Sequence, residues 1–411
     1  MKRYLITFGI TVVVWMMAAG AINLIVDPFG FWEIVRVEGF NDTKPAATKR
    51  TRIVKSYAVL RAEPRTIIAG NSRPEMGIDP AAQEWPDDWR PVYSLTLPGA
   101  YFRLQVMNAA HAIANGGVKH VFLGVDFLDF LVPENATISA RELPEKIPET
   151  QRLLLQNIDV PNPTRFISQG KDAWASLFSL DALVDSGLNV LARGDATAST
   201  VRADGFNPAR DYEAIVRTEG QRALFAHKYQ EIVARLVRRP LQVFQGGERW
   251  SRDFELLRRF LDDSKRRGIT VTLFINPYHA DYLDLITYAD YWERFEEWKR
   301  VLATLAHDAQ TPLWDFSGYD TFSTDNRPVP PLNALRWFWE PAHYRAELGS
   351  RMLARMVAGS TTSSNSLGVL LTPDNVETRL RSTRVARAAY WETQPAHTDS
   401  LKTLVRKRAS P

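Results

Sequence analysis

The sequence predicts a three-layer α/β sandwich with a mostly parallel sheet, preceded by one transmembrane helix. Two observations support this prediction: short apolar runs alternate with helical stretches, and the chain opens with a long uncharged segment. Strands that alternate with helices are joined by right-handed crossovers, which make a sheet mostly parallel. The chain has 411 residues, 45% of them hydrophobic and 24% charged, so it is long enough for one large domain around a sizeable core.

The N-terminal segment is predicted to anchor the protein in a membrane. It contains 23 uncharged residues, Tyr4 to Val26, and a helix needs about 20 residues to cross a bilayer. Asp27-Pro28 then ends the segment with a charge and a helix breaker. We interpret residues 1–27 as an uncleaved anchor. A cleaved signal peptide is the alternative, because Ala19-Gly20-Ala21 resembles a cleavage site, but apolar residues continue beyond it.

The charges around this segment predict its orientation. Lys2 and Arg3 favour a cytoplasmic N-terminus, because basic residues collect on the cytoplasmic side of a membrane. Four basic residues after the segment weaken that preference: Arg36, Lys44, Lys49 and Arg50. We expect a single-pass protein of the inner membrane with the rest of the chain on the periplasmic side.

Five apolar runs are predicted as strands, and helical spacing or a helix-start signal marks the helices beside them. The predicted strands are 65–69, 91–97, 120–127, 270–275 and 312–316, and the predicted helices are 101–115, 251–267, 291–307 and 345–356. A parallel sheet binds ligands at the carboxyl ends of its strands. Side chains that follow these strands are therefore the candidates for a functional site.

The predicted α/β domain comprises residues 28–358. An insertion at about 131–250 interrupts the alternation and ends in a predicted helix over 212–239. We expect this insertion to cover or border the cleft. Residues 359–411 are predicted as a C-terminal extension with a flexible break, a short helix and a disordered basic tail, in that order: 359–365, 373–390 and the remainder.

Charge and cysteine content exclude several classes of protein. Residues 359–411 hold eight Lys or Arg and four Asp or Glu, which equals the net charge of +4 for the whole chain, so residues 1–358 are neutral. A nucleic-acid-binding protein should carry a basic stripe within its fold, and we therefore expect no nucleic-acid partner. The absence of cysteine excludes disulfides, thiolate ligands and cysteine nucleophiles.

The first motif with chemical potential is Gly70-Asn71-Ser72-Arg73, directly after the first predicted strand. A Ser at the carboxyl end of a buried strand is well placed to act as a nucleophile, and Gly70 allows a tight turn. An ordinary Gly-Asn-Ser turn is the alternative.

The second motif is Glu340-Pro341-Ala342-His343-Tyr344, before the predicted helix over 345–356. A hydroxyl needs a base to take its proton, and His343 is suited to that role. The base needs an acceptor on its other ring nitrogen. Glu340 can provide this acceptor across the turn, and Asp315, at another strand end, is the alternative.

Taken together, the two motifs resemble the SGNH (GDSL-like) hydrolase superfamily over about residues 60–130 and 250–358. The family pattern has a nucleophilic Ser after strand one, a Gly after strand two, an Asn after strand three and Asp-x-x-His near the end. The resemblance implies Ser72 as the nucleophile, Gly99 as an oxyanion-site glycine, and Glu340 and His343 as acceptor and base. Glu stands here in place of the usual Asp.

The third position departs from the family pattern. Leu123-Gly124-Val125-Asp126 has Asp where the family has Asn, and an ionised Asp would repel an oxyanion. Part of the oxyanion hole is then missing or supplied from elsewhere. Asn276, at the end of the strand over 270–275, is a candidate substitute donor.

The resemblance is closer to a subgroup of single-span, envelope-exposed bacterial proteins with Asp-Pro after the anchor and Gly-(Ser/Asn)-Ser-Arg. Asp27-Pro28 and Gly70–Arg73 match this pattern. Related proteins acylate or deacylate cell-surface polysaccharides, often with a membrane-bound acyl-donor partner. The resemblance implies an O-acetyltransferase or esterase acting on a cell-surface glycan. The competing hypothesis is an inactive scaffold that binds polysaccharide or organises an export complex.

Three further features have open roles. Arg73 can hold an anionic group or pair with Glu75. His279 can border the cleft or lie in a loop, and Trp337-Phe338-Trp339 can stack on sugars or pack in the core. The seven His residues lack metal-ligand spacing, and no Gly-rich phosphate loop is present, so we expect no metal and no cofactor.

Overall fold

The fold is described by a computed structural model of the chain. The structure describes residues 1–134, 148–195, 197–198, 200–238, 240–245, 249, 251–325, 334–359 and 367–409. Its α-helices in these ranges are α1 (Lys2–Val26), α2 (Thr51–Ala62), α3 (Ser72–Gly77), α4 (Phe102–Ala114), α5 (Arg165–Phe178), α6 (Leu180–Leu191), α7 (Arg210–Thr218), α8 (Gln221–Val237), α9 (Arg252–Arg266), α10 (Ala280–Tyr288), α11 (Trp292–Asp308), α12 (Ala346–Ala358), α13 (Val376–Thr393) and α14 (Pro395–Ala409).

The strands are short, and six of them form the main sheet. In the same ranges they are β1 (Thr66–Gly70), β2 (Val92–Thr96), β3 (His120–Val125), β4 (Val132–Pro133), β5 (Leu155–Asn157), β6 (Val160–Pro161), β7 (Leu241–Gln242), β8 (Thr270–Ile275), β9 (Leu313–Asp315), β10 (Phe338–Glu340), β11 (His343–Tyr344) and β12 (Val369–Leu370). The main sheet has the order β12-β9-β8-β3-β1-β2.

This sheet is parallel except for one edge strand. The ladders between β1, β2, β3, β8 and β9 are all parallel, whereas β12 runs antiparallel to β9. The prediction of an α/β protein with a mostly parallel sheet is confirmed. Because β12 lies beyond residue 358, the C-terminal extension contributes a strand to the sheet.

The strands of the sheet place alternate side chains in two different apolar clusters. On β1, Ile67 belongs to the cluster that includes α4, α9 and α11, whereas Ile68 belongs to the cluster that includes Met352 on α12. This period-2 alternation is what a strand buried on both faces requires. The carboxyl ends of β1, β2 and β3 are thereby held at one edge.

Helix α1 is long and apolar enough to cross a membrane, and most of its side chains are exposed. Asp27 ends it in a left-handed conformation (φ 47°), and its carboxylate accepts the N–H groups of Phe31 and Glu33 at 2.8 Å each. The Asp27-Pro28 pair therefore stops the helix and turns the chain sharply.

Two sequence predictions are wrong here. The helix expected over 212–239 is divided into α7 and α8 at Gly220, whose φ of 83° an α-helix cannot accommodate. The short helix predicted over 373–390 is present as α13. The basic tail after it, predicted to be disordered, forms α14, with Leu401 and Val405 buried in the core cluster. Residues 360–366, within and just after the predicted flexible break, lie outside the described residues.

Candidate active site

Ser72 lies at the turn between β1 and α3. Gly70 ends the strand with φ 143°, and a Cβ there would lie 2.8 Å from Pro74 Cγ and 3.1 Å from the Gly124 carbonyl oxygen. Asn71 caps the helix, because its side chain accepts the Arg73 N–H at 3.0 Å. This tight turn leaves the Ser72 side chain at the cleft.

His343 lies opposite Ser72, on the short antiparallel pair β10 and β11. Its Nε2 is 2.7 Å from Ser72 Oγ, although 271 residues separate the two in sequence. Its Nδ1 is in hydrogen-bond contact with Glu340 Oε1. The structure thus brings Ser72, His343 and Glu340 into one hydrogen-bonded chain.

Close packing between α3 and α12 supports this contact. A Cβ on Gly349 would lie 1.6 Å from the Gly77 carbonyl oxygen, and a Cβ on Gly77 would lie 2.0 Å from the Tyr344 ring. Both positions therefore need glycine. Because Ser72 begins α3 and Tyr344 follows His343, this approach fixes the Ser72 and His343 side chains relative to each other.

Glu340 is held as a buried, ionised carboxylate. Its Oε2 accepts the Ala342 N–H at 2.7 Å, and Lys228 Nζ lies 3.7 Å from Oε1. Burial alone would raise the pKa of Glu340, but the interactions with His343 and Lys228 hold this pKa below its ordinary value. An ionised Glu340 accepts the Nδ1–H of His343, which leaves Nε2 free to accept the Ser72 proton.

Asp315 does not orient His343. Its Oδ2 lies 2.9 Å from Lys299 Nζ and 3.3 Å from Arg379 Nε, and its Oδ1 accepts the Ser317 hydroxyl at 2.7 Å. The alternative in which Asp315 replaces Glu340 is therefore wrong. Asp315 does lie at a strand end, but Lys299 and Arg379 neutralise its carboxylate.

Arg73 lines the cleft, and its guanidinium pairs with the buried Asp126 carboxylate. The Arg73 guanidinium contacts the Asp126 carboxylate and donates to Tyr282 Oη at 2.8 Å. Burial would lower the pKa of Arg73, but the Asp126 carboxylate keeps it above its ordinary value. The pairing of Arg73 with Glu75 is wrong, because Glu75 contacts Lys55 at 2.8 Å.

Asp126 is therefore not an unpaired charge facing an oxyanion. Its carboxylate also accepts the Leu128 N–H at 3.1 Å, and Asp126 is not among the described residues that line the cleft. Its position in the sequence suggested an oxyanion site, but its side chain turns into the interior, where Arg73 neutralises it.

Gly99 and Asn276 have different placements. Gly99 lines the cleft with φ 63°, beside Ser72. Asn276 is fully buried, with its amide donating to the Val125 carbonyl at 3.2 Å and its oxygen accepting Tyr344 Oη at 3.2 Å. Asn276 is thus engaged on both sides and does not serve as the substitute oxyanion donor.

The cleft has a volume of about 220 Å³, and its lining combines charged and apolar side chains. Helix α8, from the inserted segment, contributes one face through Lys228, Glu231, Ile232 and Arg235. These residues were missed, although their spacing of three and four places them on one helix face. The insertion therefore borders the cleft.

Asp129 is a second residue that the sequence reasoning missed. It lines the cleft, and its carboxylate accepts from Asn71 at 3.1 Å, Gln105 at 3.0 Å and Arg235 at 3.2 Å. Burial raises its pKa above the ordinary value, and the nearby Asp126 carboxylate adds to this increase. Asp129 lies three residues after Asp126 and just beyond a strand end, and this position could have identified it as a candidate cleft residue.

Other candidates lie away from this cleft. Phe338 and Trp339 are buried, Trp337 packs beside Phe322, and His279 is fully buried with its ring 3.1 Å from the Asp325 carbonyl oxygen. Within the described ranges, no group of three or more His, Asp or Glu side chains could hold a metal ion.

Comparisons of the chain with known proteins identified no relative. No protein-family model matches the chain, and no curated protein matches it. The interpretation of the site therefore depends on the positions of its atoms.

Proposed function

We propose that the protein is a membrane-anchored serine acyl-transfer enzyme of the SGNH type, an O-acetyltransferase or esterase that acts on a cell-surface polysaccharide. The observation that carries the proposal is the chain of contacts from Ser72 through His343 to Glu340 at the wall of an open polar cleft. This arrangement of nucleophile, base and orienting carboxylate recurs on unrelated folds that transfer acyl groups. The proposal takes the helices and sheet to form the three-layer sandwich of that family.

The proposed reaction has two steps. Ser72 Oγ attacks the ester carbonyl while His343 Nε2 takes its proton, and the imidazolium is stabilised by Glu340. The leaving alcohol receives that proton as the ester bond breaks, and an acyl-Ser72 intermediate remains. Water, or a sugar hydroxyl, then loses its proton to His343 and attacks the acyl group, which regenerates Ser72 and yields an acid or a new ester.

The backbone N–H groups of Ser72 and Gly99 are the proposed donors to the oxyanion. Both residues border the cleft and follow neighbouring strands of the parallel sheet. Backbone donors aimed at the developing charge stabilise such an intermediate. The pairing of Asp126 with Arg73 removes the charge that would have opposed the oxyanion.

A polar substrate fits the lining of the cleft. Charged groups on α8 and in the turn after β3 line the cleft with Ser72, among them Lys228, Arg235 and Asp129. Such groups bind hydroxyl-rich ligands by hydrogen bonds. With α1 as a single-pass anchor in the bacterial inner membrane, the cleft would face the periplasm, where a membrane-bound acyl-donor protein can supply the acyl group.

Turnover of a small ester tests the proposal. The full-length protein, purified in detergent, should release p-nitrophenol from p-nitrophenyl acetate, and Ser72→Ala should abolish the release. Ser382→Ala is the matched control, because Ser382 is exposed on α13, away from the cleft. Loss of activity in both variants, or equal activity in all three proteins, would contradict the proposal.

The inactive scaffold is the second candidate. A folded protein that binds an acetylated polysaccharide but shows no turnover of either this polysaccharide or the small ester would favour it. Acetyl transfer to an oligosaccharide acceptor, detected by mass spectrometry, would instead identify a transferase.

A further inference from the structure

Helix α6 has its polar and apolar faces reversed relative to a water-exposed helix. Its exposed side chains include Leu180 (73% exposed), Val184, Leu188 and Leu191 (83% exposed), whereas Asp185, Ser186 and Asn189 are buried. A surface helix of a soluble domain normally buries its apolar stripe and exposes its polar one. The outer face of α6 is therefore built to contact something apolar.

The buried polar side chains of α6 have specific partners. Asp185 contacts Lys49 at 2.5 Å, and Asn189 donates to the Pro28 carbonyl at 2.9 Å. Ser186 donates to Asn23 Oδ1 at 2.8 Å. Because these contacts fix the polar side inwards, the apolar side of the helix is held outwards.

Helix α5 repeats the arrangement. Phe166, Ile167 and Trp174 are exposed, while Asp172 accepts from Tyr57 and Arg152 at 2.6 Å each on the inner side. The single residue Ser179 separates α5 from α6. The two helices form a hairpin, residues 165–191, and both members expose large apolar side chains on its outer surface.

The hairpin packs against the last turns of α1. Gly20 lies against the Phe178 ring, and Asn23 donates to the Leu177 carbonyl at 2.8 Å. Asn23 lies within the uncharged segment 4–26, where a polar side chain in lipid needs a protein partner. The side-chain nitrogen and oxygen of Asn23 both form hydrogen bonds with this hairpin. The hairpin thus reaches the depth of the apolar part of α1.

We propose that the hairpin of α5 and α6 inserts its apolar face into one leaflet of the membrane that α1 crosses. The occupant of this face is lipid, because the exposed apolar surface of the hairpin is continuous with that of α1. With 14 and 12 residues, α5 and α6 are too short to span a bilayer, which needs about 20. They lie in the interface, where exposed Trp174 and the neighbouring Lys171 suit the headgroup region.

Insertion of the hairpin would fix the height of the cleft above the lipid. Tyr57, which holds Asp172, belongs to α2, as does Lys55, which contacts Glu75 on α3. Helix α2 therefore connects the hairpin to the helix that begins with Ser72. A cleft held close to the membrane surface suits an acyl group delivered from within the membrane.

The absence of cysteine makes the test direct. Single-cysteine variants Val184→Cys on α6 and Phe166→Cys on α5 are labelled with a nitroxide, in the full-length protein reconstituted into phosphatidylethanolamine–phosphatidylglycerol vesicles. Val385→Cys is the matched control, because Val385 is also an exposed apolar residue but lies on α13. All three positions are exposed, so the label displaces no packed side chain.

The expected result is an inverted collision preference. Labels at 184 and 166 should collide more often with oxygen, which concentrates in lipid, than with a water-soluble nickel complex, and the label at 385 should show the reverse. Nickel access at 184 and 166 equal to that at 385 would overturn the proposal. It would leave an integral membrane protein as the occupant of this face. Because no turnover is measured, the outcome is independent of the chemistry at Ser72.

Discussion

Two neighbouring residues lead into two different buried charge systems. Ser72 begins a chain that runs through His343 to Glu340 and opens onto the cleft. Arg73 contacts Asp126 and Tyr282 in a cluster that we call closed because its charges are paired, although Arg73 and Tyr282 also line the cleft. Both systems contain a buried carboxylate. Glu340 contacts the imidazole ring of His343, which can gain and lose a proton, whereas Asp126 contacts the guanidinium of Arg73, which stays charged. The first arrangement can move a proton and the second can only hold the structure together.

The difference predicts what substitutions should damage. Changes along the open chain should reduce catalytic rate while leaving the protein folded, since the nucleophile and base face space in the cleft. Changes in the closed cluster should reduce stability first, because a buried charge left without its partner is costly.

The largest effect is expected from removal of the nucleophile or the base. Ser72→Ala and His343→Ala should each lower kcat for ester hydrolysis by about 10³-fold or more, and the double variant should be little worse than either. The reason is that the two side chains perform one step together. Thermal unfolding should change little in Ser72→Ala, whereas the two variants without His343 should be less stable, because the buried Glu340 carboxylate loses a partner. Additive losses in the double variant would contradict a joint role.

The closed cluster is tested by Asp126→Asn. This change leaves the Arg73 guanidinium buried without a counter-charge and should lower the free energy of unfolding by about 3–5 kcal/mol. Asp374→Asn, at an exposed position before α13, is the matched control and should have almost no effect. Chemical denaturation measures both. If Asp126→Asn instead leaves stability unchanged and raises the hydrolysis rate, Asp126 faces the reaction and the closed cluster is not its role.

Glu340→Gln should have a smaller effect on rate than loss of Ser72. The amide keeps the shape but loses the charge that stabilises the imidazolium, so we expect a loss of roughly 10²-fold in kcat. Interactions with His343 lower the pKa of Glu340 in the folded protein. Their contribution to stability is therefore complete above the unfolded pKa of about 4.3 and is lost as the pH falls through the lower folded pKa.

Denaturation of wild type and Glu340→Gln as a function of pH measures this linkage. The difference in unfolding free energy should be constant near neutral pH and should shrink only in the acidic range below the ordinary carboxyl pKa. A difference that shrinks between pH 6 and 8 would contradict an ionised Glu340 as the titrating partner.

The smallest effect of this set is expected where α3 and α12 approach. Gly349→Ala places a methyl group against the Gly77 carbonyl and should cost about 1–3 kcal/mol of stability. It should also lower kcat, because it pushes Ser72 away from His343. Gly187→Ala is the control: a Cβ there meets nothing within 4 Å, and alanine favours the helix. Equal melting temperatures for the two variants would contradict the close approach.

Much of the fold could be predicted from the sequence, because buried parallel strands have a recognisable pattern of short apolar runs rich in β-branched residues. The strand-edge rule placed Ser72 and Gly99 at one edge of the sheet. The approach of His343, which lies on the antiparallel pair β10 and β11, was predicted only from the resemblance of the two motifs to the SGNH pattern. The direction of Asp126 did not follow, since it depends on a side chain rotating towards Arg73 at the end of β3. That contact exists only once α3 and α10 are in place.

Other errors have equally local causes. The tail carries few apolar residues, and its order comes from burial of Leu401 and Val405 against the domain, a tertiary effect that helix propensity does not reveal. The division between α7 and α8 was readable, because Gly220 stands inside the predicted helix. The apolar stripe of α6 could also be recognised in the sequence. Its outward orientation could be predicted only without the usual assumption that an apolar stripe faces the core.

Covalent labelling of Ser72 tests the central claim most directly. The full-length protein is treated with a fluorophosphonate, and the modified residue is located by peptide mass spectrometry. We predict one adduct, on Ser72, that is absent in Ser72→Ala, strongly slowed in His343→Ala and unchanged in Ser382→Ala. An adduct that persists in Ser72→Ala, or no adduct in a protein shown to be folded, would contradict a nucleophilic Ser72.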